Sequence, residues 1–141
     1  MGIFHLLLVL CWSAISDTGA YFTGVLMGKH KMAKVISPKK TWEGFAGGML
    51  FSLLFTLLLG ILFKNAYGYD VEILYTLILT PLFVVLGVMG DLSASLIKRK
   101  CEIKDFGKLI PGHGGILDRF DSILMISPFF MIVLNYIQLI K

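Results

Sequence analysis

Long apolar runs set the pattern of this chain. The cleanest is residues 44–63, GFAGGMLFSLLFTLLLGILF, which carries no charge. As an α-helix it would be about 30 Å long, one hydrocarbon thickness. Residues 73–90, ILYTLILTPLFVVLGVMG, form a second run with Pro81 inside it, and residues 123–140, ILMISPFFMIVLNYIQLI, a third with Pro128. Each proline is expected to kink its helix, with neighbouring helices satisfying the freed carbonyls. Residues 3–28 are also apolar but are interrupted by Asp17. A signal peptide would begin with a basic segment, which is missing here, and the apolar pattern resumes over 20–27, so this stretch reads as another spanning helix. The pattern predicts an all-α, polytopic integral membrane protein. It would have about four transmembrane helices, near 3–28, 44–63, 73–90 and 123–140, in one transmembrane domain with cytoplasmic polar loops.

Composition agrees with that pattern. Of 141 residues, 57% are hydrophobic and 16% charged, whereas soluble domains carry about 25% charged residues. This excludes intrinsic disorder, and it excludes a nucleic-acid-binding domain built on a basic surface, so no nucleic acid partner is expected. The two cysteines, Cys11 in an apolar run and Cys101 in a basic one, form neither a disulfide framework nor a zinc cluster.

The charges orient the spans. Lys29, Lys31, Lys34, Lys39 and Lys40 lie between the first two spans, and Lys98, Arg99, Lys100, Lys104, Lys108 and Arg119 between the last two. Of the 13 basic residues, only Lys64 and Lys141 fall elsewhere. The positive-inside rule makes both basic loops cytoplasmic and turns both termini outward. An outward start with no cytoplasmic segment before it suggests the later part of a longer polytopic protein.

Several polar residues exceed what topology requires. Residues 91–121 carry five acids, Asp91, Glu102, Asp105, Asp118 and Asp121, among six bases. Asp91, Ser95 and Lys98 are spaced to share one helix face, and so are Asp118 and Asp121. Acidic faces at the ends of adjacent spans could converge on a divalent cation. Mg²⁺ suits few, hard oxygen ligands completed by water and substrate phosphates. Asp118 could equally serve as a helix N-cap. Gly112-His113-Gly114-Gly115, just before a helix start, would let backbone N–H groups approach a phosphate, although most such turns are only turns. His113 could donate to a phosphate or move a proton. Asp17, an acid inside a span, is a functional candidate unless it sits near a wet cytoplasmic end. Lys39 and Lys40 could bind substrate phosphates or anionic lipid, Pro38 fits a turn, and Trp42 suits an interfacial anchor. The small-residue stripes Ala20/Gly24/Gly28 and Gly44/Gly48 predict close packing of the first two spans and offer a face for a homodimer.

The segments SLIKR (95–99), KDFG (104–107) and PGHGGILDRFD (111–121) resemble the signature of the phosphatidate cytidylyltransferase, or CDP-diacylglycerol synthase, family. SDTGAYF (16–22), GKHK (28–31) and SPKKTWEG (37–44) resemble further family motifs. The resemblance covers the whole chain but only the C-terminal half of a typical member, and Val25 stands where members often carry a base. It implies the reaction of CTP with phosphatidate to give CDP-diacylglycerol and pyrophosphate, at the cytoplasmic face of a bacterial inner membrane. It further implies Mg²⁺ on Asp91, Asp118 and Asp121. Lys98, Arg99, Lys104, Asp105, His113 and Arg119 would be catalytic. Asp17, Lys39, Lys40, Gly114 and Gly115 would bind substrate. Membrane lipids are the remaining expected partners. The competing readings are a CTP-dependent lipid or prenol kinase, a transporter subunit built around Asp17, and a truncated, non-catalytic remnant. With the upstream half missing, the chain is expected to bind CTP with Mg²⁺ but to turn over phosphatidate poorly alone.

Overall fold

A computed structural model describes residues 2–104 and 117–137. The chain begins with α1 (Gly2–Leu10), passes through a π-helical turn (Cys11–Ile15) and continues as α2 (Ser16–Met27). A short antiparallel hairpin follows, β1 (Lys31–Ala33) and β2 (Ser37–Thr41), with Lys31 opposite Thr41 and Ala33 opposite Ser37. Then come α3 (Trp42–Tyr67), α4 (Ile73–Lys100) and α5 (Leu117–Tyr136). Helix α4 runs unbroken through Pro81 and α5 through Pro128.

Three helices are long and apolar enough to cross a membrane: Gly2–Met27, Trp42–Tyr67 and Ile73–Lys100. The fourth expected span corresponds to a shorter apolar helix, Phe120–Tyr136. Burial is arranged as in a membrane protein. In α3 the buried face is Gly44, Gly48, Ser52, Thr56 and Gly60, one small residue every fourth position. The large apolar side chains Leu50, Phe51, Leu54, Phe55, Leu58, Ile61 and Leu62 point outward. In water that exposure would be an aggregation hazard. In lipid it is the expected arrangement, because helices there associate through small-residue packing and interhelical hydrogen bonds.

The core sits where α1, α4 and α5 meet, with Phe4, Leu8, Trp12, Phe83, Ile126 and Phe130 buried together. The Trp12 indole stacks on Phe83 at a centroid distance of 4.7 Å and meets Phe130 edge-on at 5.2 Å. Its Nε1–H donates to Thr56 Oγ1 at 3.2 Å and to Thr80 Oγ1 at 3.0 Å, tying α3 and α4 to the first span. Away from water an unpaired indole N–H would be costly. Each interhelical hydrogen bond of this kind contributes about 0.6 kcal/mol on average.

The expected close packing of the first two spans is present, between α2 and α3. At Gly48 a Cβ would stand 2.5 Å from the Ser16 carbonyl oxygen, so no other residue allows this approach without backbone movement. These contacts lie within the chain, so the stripe read as a dimer face is used internally.

The hairpin is clamped onto the start of α3. Thr41 caps that helix, its hydroxyl accepting from Gly44 N at 3.1 Å. Trp42 N donates to His30 O at 3.0 Å, and the Glu43 carboxylate pairs with His30 Nδ1 at 2.6 Å and accepts from His30 N at 3.2 Å. Trp42 is 57% exposed, as an interfacial anchor would be.

Candidate functional site

The adjacent lysines of β2 have different environments. Lys40 turns inward from β2, its Nζ is buried, and it forms an ion pair with the Asp91 carboxylate of α4. Lys39 is exposed and lines two cavities. The Asp91 position is fixed from the opposite side by α5. A Cβ on Gly90 would lie 2.7 Å from Met125 Cβ and 3.1 Å from Asp121 O, so glycine there lets α5 approach within contact. The Asp121 carboxyl then stands beside that of Asp91, close enough for the two to interact electrostatically, and its Oδ1 accepts from Ser122 N at 2.7 Å. Asp17, from α2, is near enough to interact electrostatically with both Asp91 and Lys40. Asp17 and Asp121, from two further helices, thus both reach Asp91, whose carboxylate pairs with the buried Lys40 ammonium.

Two adjoining cavities differ in chemistry. One, of about 240 Å³, is lined by Asp17, Lys40 and Asp91 along with Tyr21, Thr41 and Phe45. The other, of about 390 Å³, is lined by Lys39, Lys98, Arg99 and Lys104, with Ser37 and Ser95 as hydroxyl groups and, among the described residues, no carboxylate. Ser37 and Lys39 line both. A basic cavity beside a carboxylate cluster can take a polyphosphate at one end and offer hard oxygens at the other.

The structure brings together Asp17, Lys39, Lys40, Asp91, Lys98, Arg99, Lys104 and Asp121. The Asp91, Ser95 and Lys98 face read from spacing is divided between the cavities: Asp91 lines the first, Ser95 and Lys98 the second. Lys98 also acts electrostatically on Asp121. Asp105, His113, Gly114 and Gly115 lie outside the described residues, and so do the side chains of Asp118 and Arg119. Among the described residues no group of three His, Cys, Asp or Glu side chains is arranged to hold a metal by itself. Asp91 and Asp121 could supply the one or two carboxylates that Mg²⁺ takes when phosphates and water complete its shell. Val25 is 68% exposed and lines neither cavity.

Sequence reasoning missed Ser37 as a shared wall of the cavities and weighed its neighbour Pro38 only as a turn. The available signal was the alternation of S-P-K-K-T along a strand, which a Pro-containing pentapeptide does not advertise.

Comparison with known proteins places this geometry. The family model described as the cytidylyltransferase family matches residues 1–137. The chain is 44% identical to the phosphatidate cytidylyltransferase of Bacillus subtilis over 89% of its own length and 45% of the relative's. It is 43% identical to that of Staphylococcus saprophyticus (94% and 50%) and 44% to that of Haemophilus influenzae (92% and 45%). The chain therefore spans about half the length of these curated relatives. A solved structure, described as an intramembrane enzyme for archaeal membrane lipids biosynthesis, superposes with a TM-score of 0.62 at 17% identity, covering 91% of this chain and 77% of that one. That likeness concerns the fold, and it is a membrane-embedded fold. With the family match running almost end to end and the motif acids and bases converging on two adjoining cavities, the chain belongs to the cytidylyltransferase family.

Proposed function

We propose that this chain carries the nucleotide-handling half of a phosphatidate cytidylyltransferase, which joins CTP and phosphatidate into CDP-diacylglycerol and releases pyrophosphate. The observation that carries the reading is the basic cavity of Lys39, Lys98, Arg99 and Lys104 beside the Asp17, Asp91 and Asp121 carboxylates. In the reaction a phosphate oxygen of the lipid attacks the α-phosphorus of CTP. The bond from that phosphorus to the bridging oxygen breaks, and pyrophosphate leaves with the electron pair. Such chemistry depends on charge neutralisation and alignment. Lys98, Arg99 and Lys104 bind phosphate oxygens, Arg99 with the geometry for bidentate contact. Lys39, between the cavities, contacts the phosphate at the point of transfer. His113, Gly114 and Gly115 would seat the leaving pyrophosphate, and Arg119 and Asp105 are the remaining motif residues assigned to catalysis.

Mg²⁺ is the expected cofactor, held by Asp91 and Asp121 with Asp118 from the same motif. The donor set fits it: two neighbouring carboxyl groups are hard oxygens that a small divalent cation would relieve of their repulsion. When bound, it would screen the two anions that must meet.

We further propose that both basic loops face the cytoplasm of a bacterial inner membrane, where CTP is found. Cys101, exposed at the end of α4, reports on this directly, while Cys11 is buried. A membrane-impermeant thiol reagent should label the chain in inverted vesicles, fail to label it in intact cells, and label neither preparation of Cys101→Ser. Labelling from outside would reverse the orientation.

The activity is tested with CTP labelled at the α-phosphate, phosphatidate and Mg²⁺. The chain is assayed alone and together with the upstream half of the Bacillus subtilis relative. Label should enter the lipid with release of pyrophosphate. Transfer from γ-labelled CTP instead would indicate a kinase, and no transfer under either condition would overturn the proposal.

A further inference from the structure

We infer that Lys40 is an internal counter-ion that holds the Asp91 carboxylate in the absence of a divalent cation and is released to the substrate when the cation arrives. The inference rests on the carboxylate assignment proposed above and adds an exchange step to it. Its basis is the ion pair between Lys40 and Asp91, the burial of Lys40 Nζ, and the electrostatic reach of Lys40 to Asp17.

Three carboxyl groups converge within this region, and Asp121 stands beside Asp91. Without a nearby positive charge their repulsion would push α2, α4 and α5 apart. An ammonium on a flexible four-carbon stem is the residue type suited to filling such a place temporarily. It is a point charge that needs no fixed coordination geometry. A divalent cation carries twice the charge and competes for the same Asp91 oxygens. Both cannot hold Asp91 closely, so its arrival displaces the ammonium. Lys40 also lines the 240 Å³ cavity, so the freed side chain has space next to Lys39, where a substrate phosphate would offer a new partner. The exchange links the two ligands. A cation entering with a nucleotide gives Lys40 a phosphate partner, whereas a cation alone leaves that ammonium only its longer-range interaction with Asp17 in exchange for the Asp91 ion pair, which is costly at a buried group. Cation binding should therefore be weak without nucleotide and strong with it.

The test uses Mn²⁺ binding to the detergent-solubilised chain, followed by the electron paramagnetic resonance signal of free Mn²⁺, with no turnover required. Lys40→Met keeps the length of the side chain and removes the charge. It should tighten Mn²⁺ binding without nucleotide by about tenfold, the effect of ~1.4 kcal/mol. It should also shrink the further tightening that CTP produces in the unmodified chain. Lys39→Met, which removes an equal charge one residue away, should change Mn²⁺ affinity by less than about twofold, as expected for an exposed group. Lys40→Arg keeps the charge and should stay as weak as the unmodified chain, which covers the case in which Lys40→Met folds poorly. Equal affinity in Lys40→Met and the unmodified chain would overturn the exchange and leave the metal assignment standing. Equal tightening in Lys39→Met and Lys40→Met would overturn it in favour of a general field effect. No Mn²⁺ binding by any form, with or without CTP, would overturn the exchange together with the metal assignment.

Discussion

Asp121→Asn is expected to lower label transfer by about two to three orders of magnitude, the scale of losing a principal electrostatic group, while leaving the melting temperature unchanged or raised. The signs of the two effects differ for a structural reason. Asparagine keeps an Oδ1 that can accept from Ser122 N, as Asp121 does at 2.7 Å, so the start of α5 retains its local bond. The substitution removes a negative charge beside Asp91. Relief of like-charge repulsion stabilises the fold, and loss of an anionic oxygen weakens the hold on a cation. Transfer and thermal unfolding measured on the same preparation, across an Mg²⁺ titration, separate the two roles. A melting temperature that fell in step with activity would make Asp121 a packing residue. Near-normal transfer at saturating Mg²⁺ would remove it from the metal site.

The spans were legible because lipid imposes a requirement on length and polarity that a sequence records directly. The run 44–63 lies inside α3, and 73–90 inside α4. The spacing of Asp91, Ser95 and Lys98 already reads as one face of a helix continuing the third span, and the structure agrees. Helix α4 continues to Lys100, carrying Ser95, Lys98 and Arg99 out of the apolar zone on one continuous axis. Backbone hydrogen bonding does not stop where hydropathy falls, so a hydropathy boundary marks the membrane edge and not the helix end.

Pairings between elements were much less legible. Lys39 and Lys40 read as one doublet because their difference arises only once the hairpin lies beside α4 and Lys40 pairs with Asp91. A hairpin over 31–41 carries little β-signature, since its strands are short and one contains Pro38. The argument that adjacent spans end near each other sets Asp91 against the face of Asp118 and Asp121, and in the structure Asp121 stands near Asp91. The cause of their approach, the bare Cα of Gly90 against α5, is invisible in one dimension. Trp12, Thr56 and Thr80 illustrate the same limit. Each is an unremarked residue in an apolar run, yet together they join the first span to α3 and α4. The π-helical turn that carries Trp12 and Ser13 inward, a few residues before Asp17, likewise leaves no periodic trace.

The packing that positions Asp17 can be tested with a single methyl group. Gly48→Ala should destabilise the chain by about 1–3 kcal/mol, the usual cost of overpacking a close contact. The added Cβ would stand 2.5 Å from Ser16 O and 3.1 Å from Ala20 Cβ. A carbonyl oxygen is backbone and cannot rotate away, so α2 itself must shift. Ser16 is covalently joined to Asp17, so the shift moves that carboxylate relative to Lys40 and Asp91. Transfer should therefore fall by about ten- to a hundredfold, as expected for a displacement on the ångström scale. Gly60→Ala is the matching comparison, on the same buried stripe of α3. Its Cβ would meet Ile73 Cγ1 at 3.4 Å and Val71 Cγ1 at 3.8 Å, ordinary contacts with side chains at the far end of the helix. There alanine gains contact and helix propensity, so stability should hold or rise and transfer should be unchanged. Thermal unfolding in detergent and label transfer, measured on both variants, compare one substitution at two points of one helix. Opposite signs are expected because a backbone carbonyl blocks one site and side chains bound the other. If both variants lost stability equally, glycine along α3 would matter for helix flexibility and not for the approach of α2. If Gly48→Ala lost stability but kept full transfer, the position of Asp17 would not control the reaction.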